Sequence, residues 1–223
     1  MENSIDCFFL KTFEDEVNRR LLHKDFILSV DKVIGYIKHI NSTEIKTYLL
    51  WLDEHFSLVT LGIEDAVQYS NFDVATYSVV EKMIMAGDIG YSHLEIGKML
   101  QEDGKKRTNV AYIKYGENHV KTARYLGYVF SLRNFYYVSA LGYVLDRLDD
   151  IDRKKLYARL FVRTNLFKTI YYLSKSGEVP LRRVFDMLSD TTYIRRRSNI
   201  KMLFEKLVEE EPDCEEIIRK IIY

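Results

Sequence analysis

Apolar residues recur every three or four positions along most of this chain, and helices are the elements that this spacing predicts. Phe8, Phe9, Phe13, Val17, Leu21 and Leu22 line one face over residues 5–22. Ile27, Val30, Ile34 and Ile37 do the same from Asp25 to Ile40, and Asn41-Ser42-Thr43 caps a helix through Tyr48, Leu49, Trp51 and Leu52. A short helix is expected at Gly62–Tyr69. Tyr77, Val80, Met83 and Ile84 mark another, ended by Gly87. Asp88-Ile-Gly-Tyr91 then suits a short strand, and Ser92 caps His93–Gln101 with Glu95 at the third helical position.

The pattern changes at Tyr115–Gly142. Glu117–Leu126 reads as a helix with Val120 and Ala123 inside and His119, Lys121, Thr122 and Arg124 outward, stopped by Gly127. Tyr128–Leu132 and Phe135–Ser139 are rich in β-branched and aromatic residues, with Arg133-Asn134 as a tight turn between them. Leu141–Leu148 and Asp149–Arg163 are read as helices. Thr164 or Asn165 caps Leu166–Leu173, Pro180 opens a helix through Leu188, and Ser189-Asp190-Thr191-Thr192 turns into a long helix, Tyr193–Val208. A last helix is expected at Cys214–Ile222.

The predicted fold class is mainly α with a small β-hairpin wing. An N-terminal helical bundle (residues 1–73) precedes two helix-turn-helix-like units, 74–148 and 149–223.

Formal charge is zero, with 33 basic and 33 acidic residues, so composition alone points to no polyanion. Its distribution changes that picture. Residues 1–73 carry a net −6, residues 105–147 a net +6, and residues 168–206 a net +5. The two cysteines, Cys7 and Cys214, have no neighbour at metal-ligand spacing and fit a reducing compartment, so a cytoplasmic protein is expected. No run of eighteen apolar residues occurs, and no membrane association is expected. His23, His39 and His55 are each isolated and lack a second ligand one helical turn away.

Gly116-Glu-Asn-His-Val-Lys-Thr-Ala followed by Leu126-Gly127-Tyr128-Val129, and then Tyr136-Tyr-Val-Ser-Ala-Leu-Gly142, resemble the helix, wing and following helix of winged-helix modules. Residues 76–206 are similar in order to the tandem winged-helix DNA-binding modules of bacterial regulators and of restriction or nicking endonuclease recognition domains. The resemblance implies binding to double-stranded DNA, without catalysis or cofactor.

Phosphates need lysine and arginine, and base edges need donors and acceptors. In the first unit Lys121 and Arg124 on the helix, Lys105, Lys106 and Arg107 before it, and Arg133 at the wing tip are the phosphate and groove candidates. Asn118, His119 and Thr122 are the base-edge candidates. In the second unit they are Arg195, Arg196, Arg197 and Lys201. The plainer reading of all these cations is a solvated surface.

No phosphate-binding glycine loop, HExxH or GxSxG motif appears, and the acids from Glu211 to Glu216 form one short run without a separated partner. The competing expectation is a protein-interaction module, with the acidic N-terminal helices as its docking surface.

Overall fold

The computed structural model describes residues 26–39, 44–101 and 106–223. The helix expected over 5–22, the cap at Asn41–Thr43 and the candidate Lys105 lie outside them. The described chain is mainly helical with one two-stranded hairpin and one two-residue parallel pair. Its contacts fall into two compact units, one holding residues 26–34 and 67–149, the other residues 35–66 and 150–223.

In the first unit a π-helical stretch at Val74–Ser78 runs into the helix Val79–Met85 and is followed by His93–Leu100, Asn109–Tyr125, the strands Val129–Leu132 and Phe135–Val138, and the helix Ala140–Asp146. Ser92 caps His93–Leu100 in a full capping box with Glu95, as its sequence predicts. The expected strand at Asp88–Tyr91 shrinks to one antiparallel bridge, Tyr91 to Tyr136, which adds a third partner to the hairpin. Asp88 instead takes a left-handed turn, φ 45°, and its carboxylate accepts from the Val138 amide and the Tyr143 hydroxyl, both at 2.9 Å.

Helices His93–Leu100 and Asn109–Tyr125 cross at two glycines. A Cβ on Gly97 would strike the carbonyl of Tyr112, and one on Gly116 the carbonyl of His93 and the amide nitrogen of Gly97. Main chain thus meets main chain, an approach that only glycine permits. Val79, Val80, Met83, Ile96, Val120, Ala123, Tyr128, Val144 and Leu145 close the core around this crossing.

The second unit contains the helices Glu44–His55, Asp150–Phe161, Asn165–Ser174 and Asp190–Glu210, with shorter pieces at Leu181–Val184 and Glu215–Arg219. Phe161 meets Phe167 and Phe204 edge-on at its centre, and the latter two stack, with ring centroids 5.1–6.3 Å apart. The Tyr157 hydroxyl donates to the Leu203 carbonyl at 2.7 Å, tying two of these helices together. Arg159, 1 % exposed, donates to both Glu44 and Glu211, and Glu44 also accepts from Tyr36.

Four expectations are corrected here. Residues 62–69 form one turn at 63–65 and irregular chain rather than a helix. Pro180 precedes its helix instead of lying within it, and that helix ends at Val184, where Phe185 leaves helical geometry. Ile221-Ile222 is not helical but pairs in parallel with Val179-Pro180, because extended β-branched residues there satisfy the lone strand. The helix placed at Glu117 begins eight residues earlier, at Asn109.

Candidate nucleic-acid interface

The helix Asn109–Tyr125 starts where it does because Thr108 caps it. Its hydroxyl accepts from the Ala111 amide at 3.3 Å. The helix ends in a Schellman arrangement. Gly127, φ 85°, donates to the Arg124 carbonyl and Tyr128 to the Ala123 carbonyl, each at 2.9 Å. Between these stops, Gly116, His119, Val120, Thr122 and Ala123 face the core. Positions 110, 113, 114, 117, 121 and 124 share the opposite face, as their three- and four-residue spacing requires.

That outward face carries Val110, 74 % exposed, Ile113, 40 % exposed, and the cations Lys114, Lys121 and Arg124. Glu117 lies among them and holds the Lys121 ammonium at 2.5 Å, a bond that draws its carboxyl below the usual range. Asn118 is half-exposed beside it. His93 borders this face, with its ring nitrogen 2.9 Å from the Tyr136 hydroxyl. Burial pushes its pKa down, while Glu117 pulls it part of the way back.

Two base-edge candidates are corrected. His119 is 1 % exposed, with one ring nitrogen 2.8 Å from the Tyr115 carbonyl and the other 3.2 Å from the Ser70 hydroxyl. Thr122 is equally buried and donates to the Asn118 carbonyl at 3.1 Å. Both were expected outward because they are polar. The helix buries them because its core stripe advances through positions 116, 119, 120 and 123, and each polar atom finds a partner within its own turn or in a neighbouring loop.

The hairpin keeps its predicted turn. Arg133 and Asn134 both take positive φ, 49° and 68°, the paired left-handed geometry of a two-residue type I′ connection. Arginine rarely adopts this conformation, and here it holds an exposed cation at the tip of the ribbon. Leu132 and Phe135 flank it, both exposed. Lys106 is exposed and Arg107 half-buried just ahead of the helix.

In the second unit the arginine run divides. Successive residues on a helix point about 100° apart, so three in a row cannot share a face. Arg195 and Arg197 are exposed, whereas Arg196 turns inward and donates to the carbonyls of Ile63 and Ala66 at 2.7 and 2.6 Å. Arg196 is thereby corrected from groove candidate to loop anchor. Arg182 does similar work. It donates to the Phe185 and Leu188 carbonyls, pairs with Asp190 and lies over the Tyr193 ring. Lys201 is exposed, 3.6 Å from Glu205 and 5.8 Å from the Tyr223 ring centre.

The face of Asn109–Tyr125 therefore includes three residues that the sequence reading missed, Val110, Ile113 and Lys114. The signal was present. Thr108-Asn109 is a cap pair, and Tyr112, Gly116, Val120 and Ala123 continue the helical spacing back from Glu117. Among the described residues no three His, Cys, Asp or Glu side chains converge as a metal ion would need, and no helix is long and apolar enough to cross a membrane. Comparison of the chain with protein-family models, with curated proteins and with solved structures found no match.

Proposed function

We propose that this chain is a non-catalytic duplex DNA-binding protein, of the kind used in regulation or in the recognition step of a restriction system. The first unit supplies its main contact surface. One observation carries the reading: a capped, 17-residue helix turns a cationic face outward next to a hairpin whose tip is an exposed arginine. The order helix, bridge strand, helix, helix, hairpin is the order in which winged-helix modules present a groove-entering helix and a wing. Lys114, Lys121 and Arg124 suit phosphates, Asn118 suits a base edge, and Arg133 suits an adjacent groove. His119 and Thr122 take no direct part.

Fluorescence anisotropy with a labelled mixed-sequence duplex tests it. Binding at about 50 mM salt should weaken by orders of magnitude at about 200 mM, through counterion release. Replacing Lys121 and Arg124 by alanine should flatten the salt slope by about one unit for each lost phosphate contact. No binding at the lower salt concentration sinks the proposal.

A second reading, a protein-docking role, is favoured by one feature of the other unit. Leu50, Leu58 and Ile63 stand more than half exposed between residues 44 and 66. Recovery of a stoichiometric protein complex by a chain that ignores DNA would favour it.

A further inference from the structure

Resting on the DNA-binding reading, we infer that the leading half of the Asn109–Tyr125 helix recognises 5-methylpyrimidines, with Val110 and Ile113 packing on the C5-methyl group in the major groove. Neither side chain belongs to the buried stripe, although Ile113 is more covered than Val110. The buried stripe of this helix is Gly116, His119, Val120, Thr122 and Ala123, and Val110 is 74 % exposed on the other side. Val110 and Ile113 lie one turn apart, in line with Lys114, Lys121 and Arg124.

The occupant of this face is decided by charge. An apolar protein surface would have to desolvate the lysines, whereas a polyanion satisfies them while the apolar pair is buried. The major groove admits an α-helix, and the first residues of a groove-entering helix are the ones that reach base edges. The apolar group displayed there is the methyl on C5 of thymine, and 5-methylcytosine carries the same group at the same ring position. Asn118, one turn beyond Lys114, has the paired donor and acceptor that match the adenine partnered with thymine.

The test begins by selecting a tight-binding duplex from a random-sequence library with the full chain. Affinity is then measured for that duplex, for the same duplex with deoxyuridine in place of thymine, and for a version with 5-methylcytosine in place of cytosine. Deoxyuridine removes the methyl group and leaves every hydrogen-bonding edge intact. We expect about a fourfold loss per contacted methyl, the equivalent of about 0.8 kcal/mol for one buried methylene-sized group. A loss with deoxyuridine names thymine as the source, and a comparable gain with 5-methylcytosine names the methylated base. The Val110→Ala/Ile113→Ala variant, altered only on the solvent face, should bind all versions within twofold of one another. The inference is overturned if wild type binds all three versions alike, or if the variant discriminates as wild type does. Failure of a folded wild-type chain to bind any duplex at about 50 mM salt overturns the DNA reading, and this inference with it.

Discussion

Two stretches of nearly equal positive charge, residues 105–147 and 168–206, differ in how much of that charge they turn inward. In the first, Lys114, Lys121, Arg124 and Arg133 stand on the surface, and the polar groups drawn inside are neutral, His119 and Thr122. In the second, Arg182 and Arg196 are taken up by main-chain carbonyls, and in the same unit Arg159 is wholly buried between two glutamates. In the first unit main-chain contact at a glycine crossing and a capped helix fasten the elements, and these four cations lie outside. The other unit fastens loops with arginine. Net charge over a stretch therefore shows how many cations are present and not which of them are available to a ligand.

The strongest way to break this comparison is at Arg159. Replacing it with leucine leaves the Glu44 and Glu211 carboxylates buried without their cation, a change that costs about 3–5 kcal/mol. Urea unfolding should show the loss, and adding Glu44→Gln with Glu211→Gln should restore part of it. A loss below about 1 kcal/mol, or no rescue, would mean that the arginine is not holding this unit together.

In the first unit the matching lesion is Gly116→Ala. The added methyl meets the main chain of His93 and Gly97, which cannot rotate away, so the helices must part at a cost of about 1–3 kcal/mol. Hydrogen exchange should then quicken across residues 93–125. Unchanged protection there would show that the two helices do not depend on this close crossing.

The arginine run sharpens the contrast on a smaller scale. Arg196→Ala gives up charged hydrogen bonds to the Ile63 and Ala66 carbonyls and should cost about 1–2 kcal/mol in thermal or urea unfolding. Arg195→Ala should stay within about 0.5 kcal/mol, as surface changes do. Equal costs would erase the distinction between anchor and surface cation.

Much of this was legible in the residues. The Ser92 capping box, the Gly127 stop and the Arg133-Asn134 turn are local signals that appear where the sequence puts them, and Thr164 is the one of two cap candidates that is used; the long helix expected from Tyr193 starts three residues earlier, at Asp190, with Ser189 as its cap. The start of the Asn109–Tyr125 helix was a local signal that was missed, while other failures depended on distant partners. Nothing near Ile221 announces that Val179 will pair with it. Nothing near Arg196 announces the carbonyls of Ile63 and Ala66. At the candidate site the cations of the helix and wing were legible, while the inward turn of His119 was not, because Ser70, which supports it, lies 49 positions away.

That inward histidine gives the smallest effect and the one with a definite sign. Burial holds the His119 pKa below its ordinary value, opposed only in part by the hydrogen bond to the Tyr115 carbonyl. The folded protein therefore takes up this proton later than the unfolded chain as pH falls. Stability from His119 is full above the unfolded pKa of about 6.5. It declines as pH drops from there toward the depressed folded value, and levels off below it, because in that window the unfolded state binds more protons. His93 shifts in the same direction and adds to the decline. The basic helix of the second unit holds no histidine, and its Glu210 carboxyl, pushed up by burial, acts in the opposite direction. An NMR titration should find His119 more than half neutral at pH 6.5, with urea midpoints falling as pH drops below about 6.5. A measured His119 pKa at or above 6.5 would place the ring in water and return it to the list of groups that a ligand can touch.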